Sequence, residues 1–99
     1  MKYGIELNTI IEEVAQEFGI PPDVITSPQI RTPAVAHGRH VAIYLACKLT
    51  WVSKDNIAKF FNLHDHSSLF YGFNKVSVLL TKNTAASDRV NKLMTKLQK

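Results

Sequence analysis

The stretch from Ser53 to Lys82 limits what this chain can fold into more than any other, because it carries two marked helix starts in close succession. Ser53, ahead of Lys54-Asp55-Asn56-Ile57-Ala58-Lys59-Phe60-Phe61, has a side-chain oxygen able to accept a hydrogen bond from a free backbone N–H; Asp65, or the turn before it, can do the same for a second helix. In that second helix Leu69, Phe73, Val76 and Leu80 fall on one stripe of a 3.6-residue period, so the stripe must face a core. The other side opens with His66, Ser67, Ser68 and Tyr71 and continues to Asn74 and Lys75. It is a hydrogen-bonding face. A short helix, the tight turn Asn62-Leu63-His64 and a longer helix with small polar side chains in its first turns make the geometry by which a helix enters the DNA major groove. The pattern predicts a helix-turn-helix over residues 53–82.

Length and composition narrow the alternatives. Ninety-nine residues suit one domain, expected to span 1–99, and 45% apolar with 20% charged residues argues against wholesale disorder. The longest apolar run, Val41 to Cys47, falls far short of the ~20 residues that cross a bilayer, and the N-terminus lacks the layout of a signal peptide. No membrane span and a cytoplasmic setting are expected. Cys47 is the only cysteine, which excludes an internal disulfide.

Charge is divided along the chain. Residues 1–30 hold Lys2 against Glu6, Glu12, Glu13, Glu17 and Asp23, whereas residues 31–99 hold eleven Lys and Arg against Asp55, Asp65 and Asp88. The basic part contains the helix-turn-helix, and a surface of that sign attracts phosphate polyanions.

In chain order, Met1 to Leu7 shows no clear period and is expected to fray. Thr9 and Glu12 form a candidate capping box, with Asn8 as a rival cap, before Ile10, Ile11, Val14, Ala15 and Phe18 at helical spacing. Gly19 suits the left-handed residue that closes a helix, and Pro21-Pro22-Asp23-Val24-Ile25 suits a short helical turn. The acidic outer face of this first helix reads as solvated surface. Thr26 to Gly38, with Pro28, Arg31 and Pro33, reads as a loop whose arginine either sits in a plain connection or reaches into a minor groove. The run from Val41 to Leu49 is apolar nearly all round, as in the buried central helix of an all-α domain. Trp51 is read as a packing residue at the core edge rather than a base-stacking platform. Ser87 is a candidate cap for a last helix in which Val90, Leu93, Met94 and Leu97 face the core. Its face of Arg89, Lys92, Lys96 and Lys99 reads as solvated and favourable to the helix dipole.

The segment from Arg39 to Val76 resembles the C-terminal DNA-binding domain (domain IV) of DnaA, the bacterial initiator of chromosome replication. That family has an Arg-Gln pair opening a buried helix, a Leu-Thr step, and a recognition helix starting Gly-Gly-Arg-Asp-His-Thr-Thr. Arg39-His40, Leu49-Thr50 and Asn62-Leu63-His64-Asp65-His66-Ser67-Ser68 stand at those places without a gap. The match extends back to Arg31, at the position of the family's minor-groove arginine, and forward to Lys75; Ile10 to Ile20 also resembles the start of the domain.

The resemblance implies an all-α fold of about six helices of the Trp-repressor class and binding to duplex sites of the DnaA-box type, as at replication origins. The base contacts it implies are Arg31, His64, Asp65, His66, Ser67 and Ser68. The backbone contacts assigned are Arg39, His40, Lys48, Lys54, Tyr71 and Lys75. Asp65 can accept from a cytosine amino group, His66 and the serines can donate and accept, and Arg31 would read minor-groove width. Arg39 and Lys75 would fix docking through phosphates. Two departures stand out: His64 occupies the place of a base-reading arginine, and the loop keeps only Arg31 and Arg39 of a richly basic segment. No Gly-x-x-x-x-Gly-Lys-[Ser/Thr] loop occurs, so these residues are not expected to drive an ATP motor, and neither catalysis nor a cofactor is expected.

Rival readings belong to other classes. One is a free-standing DnaA-like transcriptional regulator with an altered site preference, alone or with a regulatory protein partner. Another is a protein-interaction module using Phe70 and Tyr71 without DNA. His37, His40, His64 and His66 with Asp65 could in principle bind zinc, but no pair has i, i+4 spacing; Cys47 lies in so apolar a run that packing explains it better than nucleophilic chemistry.

Overall fold

A computed structural model describes residues 4–98. Six helices follow one another: α1 (Leu7–Phe18), α2 (Pro22–Ile25), α3 (Pro33–Leu49), α4 (Lys54–Phe60), α5 (His66–Leu79) and α6 (Ala85–Leu97). Among the described residues there is no strand, so the expected all-helical fold with a helix-turn-helix is what forms. Met1 to Tyr3, part of the segment expected to fray, and Lys99, assigned to the last helix's basic face, lie outside the described residues.

The centre is α3. Val41, Ala42, Ile43, Leu45, Ala46 and Leu49 are all sealed from solvent, which is why that run shows no polar side. α3 packs mainly on α5 and α1, and α2, α4 and α6 close the rest. All six helices contribute to one cluster of buried side chains, from Ile10 and Val14 of α1 to Val90 and Leu93 of α6. Burying each such aliphatic group contributes about 1.5–3 kcal/mol. The stripe predicted for α5 faces inward as its spacing requires: Leu69 and Val76 are fully buried, and Phe73 and Leu80 pack partly buried against the cluster.

Helix ends follow local chemistry in some places and tertiary demand in others. Ser53 and Asp65 cap α4 and α5 as read, accepting from the backbone N–H of Asn56 at 3.2 Å and of Ser68 at 3.1 Å. Gly19 takes the left-handed conformation, φ 66°, and lets Ile20 N donate back to Ala15 O. The capping box expected at Thr9 and Glu12 does not form. α1 already starts at Leu7 with Glu6 as its N-cap, so Thr9 N finds the Glu6 carbonyl instead. The box belongs to the other end: Thr84, not Ser87, caps α6, and Ser87 is the third helical residue that answers it.

Three further expectations are corrected. The loop predicted to run to Gly38 ends at Thr32, because Pro33 occupies the first helical position, where its missing N–H costs nothing. Trp51 is 77% exposed rather than packed at the core edge. Residues 50–52 are not helical and alternate sides: Thr50 turns in, 1% exposed, with its hydroxyl on Ala46 O, so Trp51 turns out. Finally, the basic face of α6 and the acidic face of α1 are paired with each other rather than separately solvated. Arg89 Nε donates to Glu17 Oε2 at 3.1 Å, Lys92 lies 3.5 Å from Glu17, and Lys96 lies 2.7 Å from Glu13. The Arg89 hydrogen bond is the main reason the Glu17 carboxyl is held below the usual carboxylate range.

Candidate nucleic-acid interface

The turn between α4 and α5 is a helix-ending motif in which Leu63 N donates to Ala58 O at 2.9 Å and Asn62 N to Lys59 O at 3.1 Å. Asn62 takes the left-handed conformation, φ 58°, which asparagine tolerates better than most residues. Its side chain then does what a glycine could not: Nδ2 donates to Thr26 O at 2.8 Å, tying the turn to the loop before α3. That loop carries Arg31.

Arg39 holds the same loop from beneath. It is only 6% exposed, and its guanidinium donates to four backbone carbonyls: Nε to Ile25 at 2.8 Å, and Nη2 to Val24 at 2.9 Å, Ser27 at 2.7 Å and Ile30 at 3.0 Å. Arg39, expected as a DNA-backbone contact, thus binds its own chain through Nε and Nη2, and it also lines the concavity beside α5. Nε and Nη2 reinforce the irregular chain after α2, where the Val24 and Ser27 carbonyls accept also from Ser27 N and Ile30 N. Burial, followed by the nearby charge of Arg31, pulls its pKa below the ordinary arginine value.

These two ties place the loop across from the start of α5. Between them lies a concavity of about 670 Å³ lined by Arg31, His40, Ser67, Ser68 and Tyr71, floored by Ile43 and Leu63. Lys75, one turn along, sits with its Nζ 5.7 Å from the Tyr71 ring centroid. Gly72 permits the approach of α3 to α5 here, since a Cβ at that position would meet His40 Cδ2 at 2.8 Å. His40 is half-buried with its ring edge-on to Tyr71, 5.6 Å between centroids. Burial first, then the charges of Arg39 and Lys75 and His37, push its pKa below the ordinary histidine value. At neutral pH it offers a hydrogen bond rather than a charge.

The remaining predicted residues lie around this concavity or away from it. His64, Asp65 and His66 are exposed at the start of α5. His66 turns toward α4, its Nε2 2.5 Å from Asp55 Oδ1, with the Phe70 ring edge-on one turn later. Lys54 stands near that group, 6.0 Å from the Phe70 centroid. Lys48 is at the far end of α3, over the stacked rings of Tyr44 and Phe73 at 5.8 Å from each. The four histidines are dispersed: His37 packs edge-on against Phe18, near Arg89. Among the described residues no group of three or more His, Cys, Asp or Glu could hold a metal ion, and no helix is long and apolar enough to cross a membrane. Sequence reasoning passed over Asp55 and Gly72 as parts of this surface, and it placed Asn62 in the turn without its bond to Thr26. A glycine inside a helical pattern was the one local signal available for Gly72.

Residues 7–76 match the family model described as the bacterial dnaA protein helix-turn-helix. The chain is similar to the chromosomal replication initiator protein DnaA of Campylobacter concisus (strain 13826), 38% identical over 97 residues, covering 94% of this chain and 22% of the relative. It is also similar to the protein of that name from Campylobacter curvus (strain 525.92), 36% identical over 94 residues with 95% and 21% covered. For that from Aliarcobacter butzleri (strain RM4018), 38% identity extends over 82 residues with 83% and 18% covered. The chain spans about a fifth of the length of these curated relatives. With the match running from the first turn of α1 into the last turn of α5, across the loop and the turn between α4 and α5, the chain belongs to the bacterial DnaA helix-turn-helix family.

Proposed function

We propose that this chain binds double-stranded DNA at sites of the DnaA-box type, with the first turns of α5 in the major groove and Arg31 in the adjacent minor groove. One observation carries the reading. Arg31 from the loop and Ser67, Ser68 and Tyr71 from α5 line one concavity, so a loop cation and a helix start can meet the same ligand. Ser67 and Ser68, with His64, Asp65 and His66 beside them, supply donors and acceptors for base edges. His40, Tyr71 and Lys75, with Lys54 and Lys48 further out, supply phosphate contacts. The role is binding rather than catalysis, in the nucleoid and, by family, at a replication origin. His64 in place of the family's arginine favours a shifted site preference, since imidazole lacks the bidentate fork that reads guanine.

A second reading, docking of a protein on the helix-turn-helix, is favoured by the exposure of Phe70 (41%) and Tyr71 (59%) on α5. Fluorescence anisotropy against a DnaA-box duplex and a scrambled duplex, each at two salt concentrations, separates them. DNA binding should weaken with a slope of about −0.9 per neutralised phosphate in log K against log salt. His66→Ala should relax base preference, whereas Lys75→Ala should weaken all sequences alike. Absence of binding to either duplex at low salt would refute the proposal and favour the protein ligand.

A further inference from the structure

We propose that this chain takes up a proton at His40 as it binds DNA, so that binding tightens as pH falls through the range in which histidine titrates; this rests on the DNA-binding reading above. In a duplex the major and minor grooves are separated by the sugar–phosphate backbone of one strand. With the start of α5 in one groove and Arg31 in the next, that backbone has to run between them, where the concavity lies. Its volume of about 670 Å³ is in the range that holds a drug-sized ligand, enough for the sugar and phosphate of a nucleotide.

His40 lines the concavity from α3 and is half-buried there. Its ring is held by packing: Tyr71 meets it edge-on at 5.6 Å between centroids, and the missing side chain of Gly72 leaves room for Cδ2. No carboxylate is among the residues that line the concavity, whose charged members are Arg31 and Arg39. The other titratable or charged groups around the ring are His37 on its own helix and Tyr71 and Lys75 on α5. At neutral pH every charge in this set is positive.

In the free chain those cations add to burial in opposing protonation, which is why His40 lies below the ordinary histidine value. A DNA phosphate reverses the balance. It brings negative charge into the concavity, offsets Arg31, Arg39 and Lys75, and accepts a charge-assisted hydrogen bond from an imidazolium. The proton then binds the complex more tightly than the free chain, and by reciprocity DNA binds the protonated chain more tightly. Affinity therefore rises as pH falls from the bound pKa to the free one, by about tenfold for each unit between them, and levels off once His40 is protonated in both states. Because a phosphate is the ligand, the gain applies to every sequence alike.

Two measurements on the purified chain test this. Fluorescence anisotropy from about pH 8 to about pH 6 at constant ionic strength, against a DnaA-box duplex and a scrambled one, reads the linkage; circular dichroism at the lower pH checks that the chain is folded. NMR titration of the His40 ring, free and in the complex, reads the site. The wild type should bind about three- to tenfold more tightly at the lower pH on both duplexes, and the His40 midpoint should move up by about 0.5–1 unit in the complex. His40→Gln should remove at least about threefold of that pH dependence. His64→Gln and His66→Gln, which alter the exposed histidines at the start of α5, should retain it.

A His40 midpoint that is unchanged or lower in the complex would overturn the inference, whether or not His40→Gln folds. So would a pH dependence in His40→Gln as steep as in the wild type. Tight binding that is flat with pH would sink the proton uptake and leave the DNA-binding reading standing, whereas no binding to either duplex at any pH would sink both.

Discussion

Replacing Arg39 by methionine keeps an unbranched apolar stem out to the position of Nε and removes every donor. The guanidinium serves four carbonyls through Nε and Nη2, which together carry three N–H bonds, so the loss amounts to about three charge-assisted hydrogen bonds. At about 1.5 kcal/mol each, the lower end for charged donors, the gross loss is roughly 4.5 kcal/mol. Two effects reduce it. Methionine avoids desolvating a cation, and the half-buried stretch around Ser27 and Ile30 can recover water. A net loss of about 2–4 kcal/mol is expected, a large part of the 5–15 kcal/mol by which domains of this kind are stable. In urea unfolding the midpoint should drop by roughly 1–3 M. Far-UV circular dichroism is the suitable probe, because the regular structure consists of the six helices. Arg39→Lys, which keeps charge without the fork, should still lose stability. A loss below about 1 kcal/mol in Arg39→Met, together with a salt slope of DNA binding reduced by about 0.9, would refute the reasoning and return Arg39 to the phosphates.

Three more outcomes are expected. The folded-state pKa of His40 is lowered by burial, so the unfolded chain takes up the proton first as pH falls; this share of stability is complete above about pH 6.5 and is lost below it. Denaturation midpoints compared on either side of that value should show the decline, and His40→Gln should flatten it. Asn62→Ala should cost about 1–2 kcal/mol, from the left-handed backbone and the lost hydrogen bond to Thr26, whereas Asn62→Gly should come within about 1 kcal/mol of the wild type in the same urea titration. Gly72→Ala drives a methyl group into the His40 ring, 2.8 Å away, and that overpacking of about 1–3 kcal/mol should outweigh the roughly 1 kcal/mol gained in helix propensity. Its thermal midpoint should fall, and a rise would show that the ring moves aside freely.

The sequence by itself determined the elements whose causes are local. Ser53 and Asp65 supply capping oxygens, Gly19 permits a positive φ, and the spacing of Leu69, Phe73, Val76 and Leu80 fixes which side of α5 is buried. Each effect acts within one or two helical turns, so residue type and spacing are enough to expose it. Only the tertiary structure decided which polar groups face one another. Arg39 and Lys75 are both cations in the basic part of the chain, yet one is buried under four carbonyls and the other is exposed beside Tyr71. Arg89, Lys92 and Lys96 look like a basic face until α1 brings Glu13 and Glu17 against them. Whether a charge meets carbonyls, carboxylates or solvent depends on segments far away in the chain. That dependence is why the helix-turn-helix could be read directly, while the clamp that Arg39 and Asn62 place on the Arg31 loop, and the cations that surround His40, required the packed helices.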